Sequence, residues 1–395
     1  MIKLLLVFGL VVLWIKKANS ERGRLALLYI ATLVMVVREI AVPGLGDLTP
    51  STILFTLLGF SCMSRNKYDL SAWIPYLLLL LFELILGMTE NVDRATHWSL
   101  NLFTVFTSAL AVTTLVKTEN QLQTYAKVII VVSVIFNLST IIAYMGYYDG
   151  VVIFNEVDSN GLDTSDVHAS RIYGICYTNL MQAIAVISIC LLPDLNMKPL
   201  IKYAIIGILV VGGLVTLKRM TAISIILSLA YFIFREQQHG RRSAKYLIIL
   251  MVIAVLPYFW EAMLTRFNFM SGGEFSDRSA ERRNEMAWWA WDRFKESPIW
   301  GNGAGYGIFI HNGVMEILCN CGILGVIFIL GRFKSIIPGL KRLNPWAAAF
   351  AIYFMTCFIL EASINRQQTL TFMGIFFGGY LASKRIKLSD QTAKI

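Results

Sequence analysis

Charged residues are scarce in this sequence, and their scarcity excludes several classes of protein. Only 15% of the 395 residues are Asp, Glu, Lys or Arg, whereas a soluble domain has about 25%. Hydrophobic residues make up 56% of the chain and are concentrated in long runs such as 201–217 and 246–260. This composition excludes a soluble enzyme and a nucleic-acid-binding domain. It predicts an all-α, polytopic integral membrane protein.

The sequence also lacks the residue patterns that hold metals or disulfide frameworks. Its six cysteines all lie in apolar stretches, and none has the spacing of a metal site. We interpret them as small buried side chains, which excludes a secreted disulfide scaffold. Outside the predicted spans there is no cluster of histidines and no Asp-x-Asp pair. We therefore expect neither a metal nor a cofactor.

Apolar runs separated by charged or turn-forming residues predict about 12–13 membrane-spanning helices in one helical domain over 1–395. No small-residue cleavage site follows the first run, so we interpret it as a retained span. The predicted spans are 2–15, 25–42, 51–64, 71–89, 99–116, 127–145, 172–193, 200–217, 220–234, 246–262, 311–331, 346–364 and 368–383.

Basic residues cluster in alternate loops between these spans, which defines the cytoplasmic side. The net charge of +10 is thus explained by cytoplasmic loops rather than by a nucleic-acid partner. Two sizeable loops, 146–171 and 263–310, then lie on the opposite, outer face. Within the second loop, residues 281–296 predict an amphipathic helix along the membrane surface, because Trp288 and Trp291 favour the bilayer–water boundary.

Basic residues on this outer face are candidates for binding an anion. Lys218 and Arg219 lie at a predicted tight turn between two apolar runs, either as a snorkelling interfacial pair or as an anion-binding group. Arg278, Arg282 and Arg283 lie at the start of the aromatic helix. Guanidinium groups bind phosphate oxygens in bidentate fashion. The set predicts binding of a lipid diphosphate at headgroup level.

His311 lies at the outer end of a predicted span that contains Glu316, after four closely spaced glycines. It is either an interfacial cap or a general base that takes the proton of an acceptor hydroxyl. Arginines can neutralise a departing diphosphate without a metal. The combination predicts glycosyl transfer from a lipid-diphosphate donor.

Residues 283–325 contain an Arg, a Pro, Gly-x-Gly, His-Asn and a glycine-rich span in this order: Arg283…Pro298…Gly301-Asn-Gly303…His311-Asn312…Glu316…Gly322-Ile-Leu-Gly325. This order resembles that of the O-antigen polymerase and O-antigen ligase family. Two weaker matches are Arg171-Ile-Tyr-Gly174 and Lys218-Arg219-Met220. The resemblance covers roughly residues 171–383.

The resemblance implies a metal-independent, inverting glycosyltransferase of the bacterial inner membrane that acts at the periplasmic face in lipopolysaccharide or exopolysaccharide biosynthesis. Its substrate would be an undecaprenyl-diphosphate-linked oligosaccharide. Besides membrane lipids, its partners would be a chain-length regulator and a flippase of the same pathway. By this resemblance Arg219 and Arg283 hold the diphosphate and His311 activates the acceptor. The rival and supporting positions are Arg278, Arg282, Lys218, Arg171, Asn312 and Glu316.

Three functions remain open on the sequence. Two outer loops of moderate size favour a polymerase, which holds a growing chain and one lipid-linked repeat unit. A ligase, which transfers finished polymer to lipid A–core, is the alternative within the family. A secondary transporter or lipid flippase is the alternative from another class, since charged residues inside a membrane can also line a translocation path.

Overall fold

The computed structural model describes residues 2–37, 40–42, 46–63, 70–144, 179–215, 219–240, 278–307, 310, 312–359 and 367–392. This described part consists of helices, one short hairpin and the turns and loops that connect them. Five brief 3₁₀ or π segments extend or link the helices at Val34–Val36, Ser188–Leu191, Val326–Leu330, Gly331–Ile336 and Phe354–Ile359.

The first half contains helices α1 (Ile2–Lys17) and α2 (Glu21–Leu33), strands β1 (Ile40–Val42) and β2 (Gly46–Leu48), and helices α3 (Pro50–Met63), α4 (Ile74–Met88), α5 (Val92–Leu115), α6 (Glu119–Tyr144) and α7 (Asn179–Ile187). The second half contains α8 (Pro199–Val215), α9 (Arg219–Gln238), α10 (Arg278–Glu296), α11 (Gly313–Gly325), α12 (Ile337–Lys341), α13 (Pro345–Tyr353) and α14 (Gln367–Thr392).

Four segments of the described chain are long and apolar enough to cross a membrane. Shorter apolar helices accompany them, including α3, α4 and α8. These helices support the prediction of an all-α membrane protein. The number of spans, the two periplasmic loops and the side that each loop faces remain predictions. The four candidate spans are Val92–Leu115, Glu119–Ile142, Met220–Gln238 and Gly313–Lys341.

The chain divides into two compact units, each described by itself: one comprises 1–35, 39–128 and 282–395, and the other 36–38 and 129–281. In the first unit α5 is the central helix, with 83% of its most apolar stretch buried. Small residues let its neighbours approach closely. A methyl group added at Gly378 of α14 would lie 2.7 Å from the carbonyl oxygen of Ala109, and one at Gly59 of α3 would lie 2.7 Å from Thr107 Cβ. Close backbone approach is typical of helix packing in membranes.

The second unit contains a buried ion pair. Lys202 of α8 and Glu236 of α9 are 2% and 1% exposed, with Nζ and Oε1 3.7 Å apart. Lys202 also donates a hydrogen bond of 2.9 Å to the carbonyl oxygen of Pro193. Nearby, the guanidinium of Arg235 binds both carboxylate oxygens of Asp194, at 3.0 and 3.1 Å. These polar contacts join α8, α9 and the turn that follows α7.

The predicted span 25–42 is wrong in its second part. Helical structure ends at Val36, and residues 40–42 instead pair antiparallel with residues 46–48, with Ala41 opposite Asp47. Pro43 and Gly44 stand between the strands and are typical turn residues, and proline disfavours helix in the residue before it. Thr49 then caps α3 by accepting a hydrogen bond from the Thr52 N–H, at 3.1 Å.

We expect Lys202→Met to lower the free energy of unfolding by about 3–5 kcal/mol, because it removes the cation that faces the buried carboxylate of Glu236. The double variant Lys202→Met/Glu236→Leu should recover most of the loss. Thermal unfolding of the full chain in detergent measures both. Lys198→Met is the matched control, because Lys198 is exposed one turn away. Equal melting temperatures for Lys202→Met and Lys198→Met would contradict the assignment of a buried ion pair between Lys202 and Glu236.

Candidate functional site

Helix α11, which follows His311 and Asn312, is broken at Gly322. This residue has φ 58° and ψ −156°, a conformation that glycine adopts readily and other residues rarely do. In a continuous helix the N–H groups of Ile323 and Leu324 would bond to the carbonyls of Cys319 and Asn320. The break frees all four groups. Because irregular backbone in a membrane needs protein partners, these groups require bonds from elsewhere.

The glycine loop, defined as residues 297–307, supplies those bonds. The N–H of Asn302 donates to the Cys319 carbonyl at 3.1 Å, and the N–H of Gly303 donates to the Asn320 carbonyl at 2.9 Å. In return, Ile323 donates to the Pro298 carbonyl at 2.9 Å. Leu324 similarly donates to the Ile299 carbonyl, at 3.3 Å. The loop therefore replaces the missing helical bonds one for one.

Backbone groups of the glycine loop also contact α4 and α5. The N–H of Ala304 donates to the Glu83 carbonyl at 2.9 Å. Gly303 has φ +94°, and a methyl group there would lie 2.7 Å from the backbone nitrogen of Gly87. Gly305 has φ +75°, and a methyl group there would lie 2.5 Å from the carbonyl carbon of Arg94. The glycines at these positions are required by both conformation and space.

Two asparagine side chains fix the loop to α11. The Asn320 amide accepts from the Gly307 N–H at 2.8 Å and donates to the Gly307 carbonyl at 3.0 Å. The Asn302 amide donates to the carbonyls of Arg293, at 3.1 Å, and Cys319, at 2.9 Å. Asn302 therefore joins the end of α10 to α11.

Helix α10 packs on the glycine loop and α11. It confirms the helix predicted at 281–296. Ala290 is fully buried and packs with Ile310 and Cys319, and Met315 packs against the same cluster. The ring of Trp289 stacks on Tyr306 of the glycine loop, with centroids 6.1 Å apart. The face of α10 near Ala290 is therefore turned toward the chain segments on either side of His311.

Among the three candidate arginines of α10, the backbone favours Arg283. It lies seven residues before Ala290, which at about 100° per residue places it about 20° from Ala290 around the helix. Position 282 is about 80° away by the same measure. Arg283 is half-buried. Arg278 and Arg282 belong to the same helix, but their side chains lie outside the described part of the structure.

Aromatic side chains on and after α10 are exposed. Trp288 is 61% exposed and Trp300 is 52% exposed, while the ring of Trp300 packs on Phe82 of α4 with centroids 5.4 Å apart. Trp291 is also exposed and contacts Phe294. Tryptophan favours the boundary between lipid and water. The exposed aromatics are consistent with the predicted position of α10 along a membrane surface, which remains a prediction.

Asn312 and Glu316, two of the three predicted supporting residues, have structural contacts. The Asn312 side-chain oxygen caps α11 by accepting from the N–H groups of Val314 and Met315, each at 3.0 Å. Glu316 is fully buried, and its Oε1 accepts a 3.0 Å hydrogen bond from the indole of Trp98 in α5. Its other oxygen has no hydrogen-bond partner among the described residues.

The remaining predicted site residues lie wholly or partly outside the described residues. Those outside are His311, Lys218 and Arg171. Arg219 begins α9 of the second unit, although its side chain is not described. The assignments of these residues stay predictions. Within the described residues no group of three potential ligands is arranged to hold a metal ion.

Two polar residues that support the site were not predicted from the sequence. Trp98 and Asn320 are buried and bond to Glu316 and the glycine loop, respectively. The available signal for Asn320 was an amide inside an apolar run, since buried polar groups need partners. Glu83, a carboxylate inside an apolar run for which the sequence predicts a structural or boundary role, is fully buried in α4, and neither of its carboxylate oxygens has a hydrogen-bond partner among the described residues.

We expect Gly303→Ala to destabilise the protein, because a left-handed conformation costs other residues about 1–2 kcal/mol and the methyl group would meet Gly87. The matched control is Gly331→Ala, where the backbone is helical and the nearest atom is 3.8 Å away. Melting temperatures in detergent compare the two. If both variants melt together with the wild type, the loop does not pack as described.

We expect Trp98→Phe to lower the free energy of unfolding by about 1–3 kcal/mol, because it removes the hydrogen-bond donor to buried Glu316. In a protein that already carries Glu316→Met, Trp98→Phe should lower the free energy of unfolding much less, because neither hydrogen-bond partner is then left unpaired. A double-mutant cycle by thermal unfolding measures this coupling. Additive effects of the two changes would rule the interaction out.

Comparison with known proteins returned no match: the chain matches no protein-family model, no curated protein and no solved structure. The family resemblance therefore rests on the motifs and their order. The described part of the chain is predominantly helical and contains four segments that are long and apolar enough to cross a membrane.

Proposed function

We propose that this protein is a surface-polysaccharide polymerase that transfers glycan from an undecaprenyl-diphosphate-linked donor to a lipid-linked repeat unit. The observation that carries the proposal is the place of Arg283 in α10. It shares the packed face of α10 with Ala290, which contacts residues on both sides of His311 in the chain. An arginine and a histidine are the two residue types that the reaction needs.

The chemistry of each group follows from its charge and its proton. A guanidinium binds diphosphate oxygens through parallel N–H donors and keeps its charge in a partly apolar site. His311 would take the proton of the acceptor hydroxyl. The acceptor oxygen then forms a bond to the anomeric carbon, while the bond from that carbon to the phosphate oxygen breaks. The electron pair leaves with the diphosphate, whose charge Arg283 stabilises.

The surroundings of α10 support a lipid-linked substrate. Trp288, Trp291 and Trp300 are exposed at or near this helix, as expected at a membrane boundary. The diphosphate of a lipid carrier lies at the same depth. The glycine loop holds the end of α10 through the Asn302 side chain, which donates to the Arg293 carbonyl, and a rigid support keeps a guanidinium in place for catalysis.

The two moderate outer loops, 146–171 and 263–310, favour a polymerase over a ligase. A ligase would carry out the same bond exchange with lipid A–core as acceptor. Arg219 begins α9 in the second unit, and we propose that it binds phosphate as well. Its role is tested separately from that of Arg283.

We expect His311→Ala to reduce polymerisation by about 100-fold or more, the usual contribution of a general base. Polymer length on gels, in a strain that carries only the variant gene, measures it. Immunoblots should find wild-type protein levels in the membrane fraction. Wild-type chain length at equal protein level would refute the assignment of the base.

We expect Arg283→Lys and Arg219→Lys each to reduce polymerisation about tenfold or more, because lysine keeps the charge but lacks the planar pair of donors. Lys295→Gln is the control on the same helix, since Lys295 is exposed and pairs with neighbouring Asp292. That variant should keep full activity. Full activity in both lysine variants would mean that these arginines do not bind the diphosphate.

Deletion of the gene distinguishes the three functions. Single repeat units attached to the lipid core are expected for a polymerase. Polymer accumulating on the carrier lipid would instead identify a ligase. Lipid-linked repeat units retained on the cytoplasmic side would identify a flippase and overturn the proposal.

A further inference from the structure

A cavity of about 150 Å³ opens at one end of the first unit, away from every residue of the candidate site. It lies where α2, α3, the end of α5 with the turn that follows it, and α14 come together. Its charged lining residues are Glu21, Arg24, Lys117 and Arg385. Three basic side chains against one acidic give the lining an excess of positive charge.

Arg24 is the most informative of these residues. Its side chain is only 3% exposed, although it lines the cavity. One terminal nitrogen donates a 2.6 Å hydrogen bond to the carbonyl of Ala18. The buried Nε has no acceptor in the described chain, and no described carboxylate forms an ion pair with Arg24. A buried guanidinium without an anion is costly, so a bound anion is the natural partner.

The charged residues next to Arg24 do not supply the anion that its guanidinium lacks. The carboxylate of Glu21 is 2.8 Å from the ammonium of Lys117, and both side chains are about half exposed. Arg385 donates a 2.8 Å hydrogen bond to the carbonyl of Val116. Its guanidinium therefore lies at the C-terminal end of α5, next to Lys117 in the chain. The one acidic group of the lining is therefore already paired with Lys117, while the hydrogen bond of Arg24 goes to a neutral carbonyl.

We propose that this cavity binds a phosphate group, supplied by an anionic phospholipid headgroup or by a soluble phosphate. Guanidinium groups bind phosphate oxygens with short, charge-assisted hydrogen bonds. Basic pockets between helices at a cytoplasmic membrane surface bind anionic headgroups. The basic-residue pattern predicts this end of the unit to be cytoplasmic. The proposal is independent of the proposed polymerase activity, because it involves none of the residues assigned to that reaction.

The test uses the full chain, purified in detergent, and follows its melting temperature on titration with ligand. The ligands are phosphatidylglycerol, phosphatidylcholine, and inorganic phosphate matched to chloride for ionic strength. Stabilisation by phosphatidylglycerol alone identifies a lipid headgroup site. Stabilisation by inorganic phosphate identifies a site for soluble phosphate. No stabilisation by either anionic ligand beyond that given by phosphatidylcholine or chloride overturns the proposal.

Variants then assign the effect to the cavity. Arg24→Gln and Arg385→Gln should each weaken the apparent affinity about tenfold, as expected for loss of a charge-assisted hydrogen bond. Lys16→Gln is the control, because Lys16 is an exposed basic residue at the end of α1 that does not line the cavity. Arg385→Gln decides the outcome if Arg24→Gln does not fold. Wild-type affinity in Arg385→Gln, or an equal loss in Lys16→Gln, overturns the assignment.

Discussion

The exchange of backbone hydrogen bonds at the broken helix α11 determines much of the first unit. Gly322 interrupts the helical bonding pattern, and the glycine loop takes up the freed carbonyls of Cys319 and Asn320. The freed N–H groups are satisfied by the same loop. In an apolar environment each unsatisfied group would cost several kcal/mol, so break and loop depend on each other. Neither the break in α11 nor the conformation of the glycine loop is stable without the other.

This exchange sets the position of everything attached to the loop. The loop follows α10 directly, and Asn302 bonds to the last turn of that helix through the Arg293 carbonyl. Ala290 then packs against the start and middle of the α11 segment. Arg283 is thereby carried on a helix that is held by the Asn302 side chain and by the packing of Ala290. A group that binds a diphosphate benefits from such support, because positioning contributes to catalysis.

Among the described residues, buried charged groups differ in how they are paired. The second unit pairs its buried Lys202 with Glu236. In the first unit the buried groups Glu83, Glu316 and Arg24 have few hydrogen-bond partners among the described residues. Incompletely paired groups are expensive in a core and are retained where a protein binds or transfers something. The candidate glycan site and the basic cavity both contain such groups.

Local patterns in the sequence determined which segments are helical and several of their ends. Apolar runs predicted the helices at 51–64 and 200–217, and aromatic residues at helical spacing among charged residues predicted the helix at 281–296. The break at Gly322 and the β-hairpin after Val36 were decided by tertiary structure. A backbone N–H can bond to a carbonyl four residues earlier or to one in a distant loop. The hydropathy of the sequence is the same in both cases, so it does not predict which bond forms. The burial of Arg24 and the inward face of Arg283 likewise depend on which helices pack around them.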